Sequence, residues 1–247
     1  MYLTTRALVL REVKYKEASK MLTLLSDTEG KLSVSARGAL RKNCKYAAAA
    51  QSFAYSEFTL FGSRGRWTVT EGTIMEQFMG LREDLSRLAL ASYIAELLET
   101  VSDEDAPNAE ALSLGLNSLY ALSRGLYPPE HIKAVFELRL MCLSGYAPVL
   151  DCCTSCGKQP EHPRFSLGGG NLHCAGCPSG APGVSMPLDG QALAAMRYIC
   201  SAEAKKIFAF KLEGESLEKL KSVCEAYVLS QLERSFSSLD YWKKINL

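Results

Sequence analysis

The spacing of apolar residues predicts strands in the first third of the chain. Up to about residue 80, apolar and polar positions alternate in short runs, as they do through Leu32, Val34 and Ala36. The turn at residues 27–30 begins with Asp and ends with Gly, which is typical of a hairpin. Five short strands joined by glycine-containing turns predict a small closed barrel rather than an open sheet. The predicted strands lie near residues 4–13, 21–25, 32–36, 53–61 and 67–76.

From residue 81 onward the apolar spacing changes from 2 to 3.6 residues, which predicts helices. Apolar residues at i, i+3, i+4 and i+7 first appear from Ile94 to Val101. Pro128 and Pro129 are placed where a helix begins, because proline is tolerated in a first helical turn. We expect the first three helices to pack on one another. The same spacing recurs at residues 112–120, 132–143, 188–200 and 217–228.

A segment rich in Gly, Pro and Cys interrupts the helical part at residues 148–183. It has no long apolar run, so it cannot build a core unaided. Five of the nine cysteines fall here, and two Cys-x-x-Cys pairs are separated by seventeen residues. A two-residue gap lets both thiolates of a pair face one ion, and two such pairs are typical of a tetrahedral zinc site. The predicted zinc ligands are Cys153, Cys156, Cys174 and Cys177.

Four thiolates close the coordination shell of zinc, so the predicted ion is structural rather than catalytic. Cys152 is an alternative to Cys153, although its spacing from the next cysteine is less usual. His162 and His173 are expected to be bystanders, and the doubled pair disfavours a redox disulfide. The remaining cysteines are expected to pack as small apolar side chains; they are Cys44, Cys142, Cys200 and Cys224.

Composition and charge narrow the class of protein. A chain of 247 residues with 47% hydrophobic residues is ordinary for a globular protein and excludes a disordered or fibrous one. The formal net charge is only +1, but residues 1–80 carry twelve basic and seven acidic side chains. The excess of positive charge in residues 1–80 indicates either a polyanionic partner or merely a solvated surface. With no secretory signal and no long apolar run, we expect a cytoplasmic protein without a membrane partner.

The sequence contains no recognisable catalytic motif. The phosphate-binding GxxxxGK[ST], the dinucleotide-binding GxGxxG, the metalloprotease HExxH and the hydrolase GxSxG patterns are all missing. His131 begins a helix without a nearby Ser or Cys partner, so we expect it to face solvent. These observations favour a protein that is not an enzyme.

Residues 31–46 favour nucleic-acid binding, because they contain several cations and no acidic residue. Cations clustered on a small barrel release counterions when they neutralise phosphates. Aromatic residues follow at Tyr46, Phe53 and Trp67, and exposed members of this set could stack on unpaired bases. The predicted nucleic-acid-binding residues are Lys31, Arg37, Arg41, Lys42 and Lys45.

Two stretches carry a family resemblance. ALVLREVKYKEASKMLTLLSDTEGKLSVSARGALRKN and the later FAYSEFTLFGSRGRWTVTEG resemble the start of the bacterial DNA repair protein RecO family. Pro148, Leu150, Cys153, Cys156 and Gly157 resemble that family's zinc module, and the match covers essentially the whole chain in order. The resemblance implies an α+β multidomain fold. Its implied parts are an OB-fold domain at residues 1–80 and a helical domain at residues 81–247 that carries the zinc module at 148–183.

The resemblance also implies a function. RecO family proteins are recombination mediators in DNA repair that bind single-stranded and possibly double-stranded DNA. They anneal complementary strands coated with single-strand-binding protein, and they assist the loading of RecA together with RecR. The alternative is a zinc-containing adaptor that binds proteins without direct nucleic-acid contact. An RNA-modifying enzyme with catalytic zinc is disfavoured, because the four-thiolate shell leaves no open position on the metal.

Overall fold

The N-terminal part of the chain forms the predicted closed barrel. In this computed structural model, which describes residues 1–63, 65–104, 106–180 and 182–246, five strands follow the order β1-β2-β3-β5-β4 around the barrel. β1 pairs with both β2 and β4 in antiparallel fashion, whereas β3 and β5 pair in parallel through Val34 and Trp67. The strands are β1 (Tyr2–Tyr15), β2 (Ser19–Ser26), β3 (Gly30–Ala36), β4 (Tyr55–Ser63) and β5 (Arg66–Glu76).

Alternation along the strands fills the barrel with apolar side chains. Leu22, Leu24 and Val34 point inward and are almost fully buried. The long loop between β3 and β4 lies against this core through small residues such as Ala49 and Ala50. One helical hydrogen bond occurs there, from the Ala50 N–H to the Tyr46 carbonyl at 3.1 Å. The barrel therefore has its own core.

The helices fall into two compact units. The first unit comprises residues 1–124 and the C-terminal segment from residue 236, and the second comprises residues 125–235. Within the first unit α1 packs on α2 and α6, and within the second α3 packs on α4 and α5. The expectation that the first three helices form one group is therefore wrong for α3. After a short 3-10 helix at Met79–Leu81, the helices are α1 (Leu85–Val101), α2 (Ala109–Arg124), α3 (Pro129–Leu143), α4 (Gly190–Ser201), α5 (Gly214–Gln231) and α6 (Ser237–Ile245).

The predicted domain boundary after residue 80 lies inside the first compact unit, and it stays a prediction. A three-stranded sheet in the second unit has the order β7-β6-β8. Across the described parts of the chain, no helix has both the length and the apolar character needed to cross a bilayer. The strands of the small sheet are β6 (Pro163–Ser166), β7 (Asn171–Cys174) and β8 (Ser185–Pro187).

A buried group of charges joins α3 to α5. The Nζ atom of Lys133 lies 2.8 Å from Glu137 Oε1 and 2.8 Å from Glu225 Oε2. Burial by itself lowers the pKa of Lys133, but the two carboxylates outweigh it and the pKa is raised. Removing one partner from such a group would leave an uncompensated buried charge. The group therefore favours one alignment of the two helices.

His131 is buried, so the expectation that it faces solvent is wrong. Its side chain lies against the rings of Tyr127 and Phe210, with centroid distances of 5.6 and 4.6 Å. Its Nε2 atom is 3.3 Å from the Phe208 carbonyl oxygen. Phe208 and Phe210 are almost eighty residues away along the chain, so no local pattern indicated them. A segment that follows α4 covers the first turn of α3.

We expect His131 to make the folded protein sensitive to mild acid. Burial lowers the pKa of His131 below its ordinary value of 6.5, although the bond to the Phe208 carbonyl opposes this effect. The unfolded chain then binds more protons than the folded one, so the stabilisation is present above pH 6.5 and is lost as the pH falls. The His131→Gln variant should show a smaller drop in Tm between pH 7.5 and pH 5 than the wild type. Thermal unfolding followed by circular dichroism measures this difference.

His162→Gln is the matched control for this prediction, since His162 is solvent-exposed. Its Tm should follow the wild-type pH dependence. A His131→Gln curve parallel to the wild-type curve would show that His131 does not contribute to acid sensitivity.

Candidate metal centre and nucleic-acid interface

The four predicted zinc ligands meet at one end of the small sheet. Cys153 and Cys156 lie on the turn that precedes β6, Cys174 ends β7, and Cys177 lies in the following turn. Their Sγ atoms all lie within 4.8 Å of one another. Cys152 is not a member of this group, so the geometry favours Cys153 over Cys152 as the ligand.

The spacing of the sulfur atoms suits a tetrahedral ion. Cys156 Sγ and Cys174 Sγ are 3.8 Å apart. Four sulfurs at a zinc–sulfur distance of about 2.3 Å would be separated by about 3.8 Å along the edges of the tetrahedron. The Cys174 N–H also points at Cys153 Sγ, at 3.4 Å. The four cysteines therefore fit a metal ion without rearrangement of the backbone.

The pKa values of the cysteines explain why a cation belongs here. The Cys156 N–H, together with the N–H groups of Cys174 and Ser155, lowers the pKa of the Cys153 thiol to about 6. Burial, together with the sulfurs of Cys156 and Cys153, raises the pKa of Cys174 to about 12. Ionisation of Cys153 is thus favoured, and ionisation of Cys174 beside it is opposed. A bound cation would remove that opposition and allow all four to ionise.

The first of the two cysteine turns depends on glycine. The Gly157 N–H donates to the Cys153 carbonyl at 2.8 Å, and Gly157 has a φ of +72°. This left-handed conformation is unfavourable for other residues. In the second turn the Cys177 N–H donates to the Cys174 carbonyl at 3.1 Å, and Gly176 is not left-handed. The left-handed conformation therefore requires glycine in the first turn but not in the second.

The histidines near the cysteines do not join the cluster. His173 is buried, and its Nε2 atom lies 2.8 Å from Ser185 Oγ while its Nδ1 atom lies 3.0 Å from the Cys174 carbonyl oxygen. It therefore links β7 to β8. His162 is exposed and belongs to no group of potential ligands in the described chain.

The cysteine module, residues 148–183, is anchored to α4 and α5. Phe165 is fully buried and meets Tyr227 of α5 edge-on, with ring centroids 5.1 Å apart. Arg197 of α4 donates to the carbonyl of Leu150 at 2.8 Å and to that of Asp151 at 2.9 Å. One side of the module thus packs on the helices, and the cysteines order the other side.

A cleft with a volume of about 790 Å³ opens on the face of the barrel built by β2, β3 and β5. Its floor includes Met21, Ser33 and Ser35, which point out of the barrel between buried neighbours. Cations surround this floor from three places in the chain, namely the β1–β2 connection, the β3–β4 connection and the first residue of β5. We call this space the basic cleft; its rim is formed by Tyr15, Lys16, Arg37, Arg41, Arg66 and Trp67.

The rim of the basic cleft combines cations with aromatic rings. Tyr15 is 47% exposed, and Lys16 Nζ lies 5.3 Å from the centre of its ring. Trp67 is half-buried and packs on Gly62, where any Cβ would lie 2.6 Å from the indole ring. Gly62 is therefore required for the position of Trp67. Aromatic surfaces beside cations are typical of sites that stack bases and bind phosphates.

Hydrogen bonds hold the β3–β4 loop against the β1–β2 turn. The Gly38 N–H donates to Ser19 Oγ at 3.2 Å, and the Leu40 N–H donates to the Ala18 carbonyl at 3.1 Å. The Tyr46 hydroxyl donates to the Arg37 carbonyl at 2.5 Å. These bonds fix the backbone from which Arg37 and Arg41 extend, so the two guanidinium groups are presented on an ordered loop.

The cations of the basic cleft are not neutralised within the described chain. No described carboxylate forms an ion pair with Arg37, Arg41 or Arg66. Elsewhere on the barrel such pairs do occur, for example between Lys20 and Glu12 at 2.5 Å. The cleft therefore retains positive charge for an external anion.

Some of the predicted nucleic-acid-binding residues lie outside the basic cleft. Lys31 Nζ donates to the Glu99 carbonyl at 3.0 Å, near the end of α1. Lys42 and Lys45 are exposed on the β3–β4 loop but do not line the cleft. Arg66 does line it and lies outside the basic run at residues 31–46. Its place at the start of β5, directly after the β4–β5 connection of a small barrel, is the signal that could have indicated it.

Comparison with known proteins decides the family. Residues 1–78 match the family model described as Recombination protein O N terminal, and residues 82–240 match the one described as Recombination protein O C terminal. The chain belongs to the recombination protein O family. The family predicted from the sequence resemblance is thus confirmed, together with the OB-fold barrel and the helical part that carries a four-cysteine cluster.

Similar members of the recombination protein O family cover nearly the whole chain. The DNA repair protein RecO of Acetivibrio thermocellus is 33% identical over 246 residues, which are 99% of this chain and 98% of that protein. The protein of the same name from Alkaliphilus metalliredigens is 34% identical over 247 residues, which are 99% of this chain and 100% of that protein. The RecO fold therefore extends from the barrel through the cysteine module to the last helices.

Proposed function

We propose that this RecO family protein is a DNA-binding recombination mediator, and that the basic cleft holds the DNA. The observation that carries this proposal is the convergence of cations from the β1–β2 connection, the β3–β4 connection and the start of β5 on one exposed face of the barrel. In OB-folds the face of strands 2 and 3, with the β1–β2 and β4–β5 loops, binds oligonucleotides. Family membership supports the role in DNA repair.

Strand annealing follows from the charges and rings of the cleft. Arg37, Arg41 and Arg66 would neutralise phosphates and release counterions, so the affinity for DNA would fall with salt. Tyr15 and Trp67 would stack unpaired bases and keep a single strand open for pairing. Lys42 and Lys45, exposed beside the cleft, would reduce the repulsion of a second strand. No nucleotide hydrolysis is needed, in keeping with a protein that is not an enzyme.

The protein partners proposed here are inferred only from membership of the RecO family. We propose that it pairs strands coated with single-strand-binding protein and assists the loading of RecA together with RecR. The cations of the basic cleft could bind the phosphates of either single-stranded or double-stranded DNA. Its aromatic rings favour single-stranded DNA, because they can stack on unpaired bases.

For the cysteine cluster we propose zinc with a structural role. Four thiolate ligands are typical of structural zinc, and they leave no coordination position for water or substrate. Zinc would tie the turn at residues 153–156 to the end of β7. Metal analysis of the purified protein should find one zinc per chain; iron in its place would overturn the assignment of zinc.

Annealing of two complementary labelled oligonucleotides, without ATP and at low salt, tests the proposed function. We expect the protein to accelerate annealing, and the acceleration should disappear at high salt. An adaptor without nucleic-acid contact would instead retain no oligonucleotide, and its protein complexes would survive nuclease treatment. That pair of results would contradict the proposal.

A further inference from the structure

Two cysteines outside the metal cluster face each other in the second compact unit. Cys142 lies near the end of α3 and Cys200 near the end of α4, and their Sγ atoms are 3.5 Å apart. A disulfide requires about 2.05 Å between the sulfurs, so the two sulfur atoms would have to approach each other by about 1.5 Å. They are separated by 58 residues in sequence, so only the packing of α3 on α4 brings them together.

The surroundings of this pair favour one thiolate. The side-chain hydrogen bond between Cys142 and Cys200, and then the charge of Arg139, lower the pKa of Cys142 although burial opposes them. The Arg139 side chain is held in place, since it donates to the carbonyls of Ile199 at 3.3 Å and Cys200 at 2.5 Å. Cys142 therefore has the character of an attacking thiolate, and Cys200 that of the thiol that resolves it.

Two of the other cysteines outside the cluster, Cys224 and Cys44, are not paired with a neighbouring cysteine in this way in the described chain. Cys224 is fully buried, and burial raises its pKa well above the ordinary value. Cys44 is half-buried on the β3–β4 loop of the barrel. Cys142 and Cys200 are both partly accessible to solvent. Oxidation needs both thiolate character and access, and Cys142 has both.

We propose that Cys142 and Cys200 form a redox-sensitive dithiol that a peroxide converts to a disulfide. The Cys142 thiolate attacks the O–O bond of the peroxide, which forms a sulfenic acid and releases hydroxide. The Cys200 sulfur then attacks the sulfenic sulfur, the S–S bond forms, and the hydroxyl group leaves as water with the Cys200 proton. The two sulfurs together lose two electrons and the peroxide gains them.

The disulfide would join α3 to α4 close to the anchor of the cysteine module. Arg197 lies three residues before Cys200 on α4 and holds the carbonyls of Leu150 and Asp151. A covalent link at Cys200 would restrict movement of this end of α4 relative to α3. Oxidation would thus stiffen the support of the metal cluster without using its cysteines.

The test treats the full-length zinc-loaded protein with equimolar hydrogen peroxide and then maps its peptides by mass spectrometry. We expect a peptide pair that joins residues 142 and 200, reversible by dithiothreitol, in most molecules. Before oxidation, iodoacetamide at pH 7 should alkylate Cys142 several-fold faster than Cys44, because the thiolate is the form that reacts. Peptides joined only through the metal-binding cysteines, or equal alkylation rates at Cys142 and Cys44, would overturn the proposal.

Variants separate the two roles of Cys200. In Cys200→Ser the hydroxyl still donates to the Cys142 thiolate, so fast alkylation should persist while the cross-link is lost and a sulfenic acid can be trapped with dimedone. In Cys200→Ala both the fast alkylation and the cross-link should be lost. Cys44→Ser is the matched control and should keep both. If a Cys200 variant does not fold, the wild-type peptide map alone decides the question.

Discussion

Replacing Cys153 by Ser is expected to abolish binding of the proposed zinc ion and to unfold the cysteine module while the barrel stays folded. Cys153 receives several N–H groups, which lower the pKa of its thiol to about 6, so it ionises readily as a ligand. Metal binding to such sites is worth about 10–16 kcal/mol in small zinc-binding domains, and this free energy contributes to folding. Loss of one of four thiolates should therefore remove most of the order around residues 150–180.

The barrel should be insensitive to this change because it has its own core and belongs to the other compact unit. Hydrogen exchange followed by mass spectrometry measures both regions in one experiment. We expect protection to be lost in β6 and β7, and to stay at the wild-type level in β1 to β5. Uniform loss of protection along the chain would contradict the expected separation.

Cys152→Ser is the matched control, since Cys152 is the neighbour of Cys153 and lies outside the cluster. It should keep one zinc per chain and the wild-type exchange pattern. If Cys152→Ser lost the metal and Cys153→Ser kept it, the ligand assignment would have to be reversed.

The metal cluster could be predicted because its signal is local. The two-residue spacing within each cysteine pair places both sulfurs on one turn, whatever the rest of the fold does. The choice between Cys152 and Cys153 could not be made from the sequence, because it depends on which of two adjacent side chains points toward the other cysteines. The barrel was predictable for a similar reason, since its strands follow one another along the chain and alternate with period two.

The cations of the basic cleft could be predicted only in part, because they come from three separate places along the chain. The basic run at residues 31–46 indicated Arg37 and Arg41, which line the cleft. The same run included Lys31, whose ammonium group instead bonds to a carbonyl 68 residues further along the chain. Arg66 was missed because it stands outside the run. Arg64, in the same turn of the sequence, lies outside the described residues.

Substituting Arg37, Arg41 and Arg66 together by Ala is expected to weaken single-stranded DNA binding by roughly a hundredfold at low salt. Each arginine is exposed at the cleft and forms no ion pair with a described carboxylate, so each is available to a phosphate. If each neutralises one phosphate, the slope of log affinity against log salt should become shallower by about 2. Fluorescence anisotropy of a labelled oligonucleotide at several salt concentrations measures both quantities.

A charge-matched variant separates specific contacts from loss of overall charge. Lys205→Ala, Lys211→Ala and Lys244→Ala together remove three positive charges from exposed positions outside the barrel. This variant should bind DNA with nearly the wild-type salt slope. An equal fall in slope for both triple variants would mean that only the net charge matters and that the basic cleft is not the binding site.

Lys31→Met provides a second control from within the basic run itself. Lys31 is half-buried, and its Nζ atom satisfies the Glu99 carbonyl, so its loss removes a hydrogen bond near the end of α1. We expect a lower Tm and an unchanged salt slope for this variant, the reverse of the arginine variant. A reduced slope for Lys31→Met would mean that the DNA-binding surface extends beyond the cleft. In that case the position of a lysine in the fold would not be enough to tell whether it contacts phosphate or has a structural role.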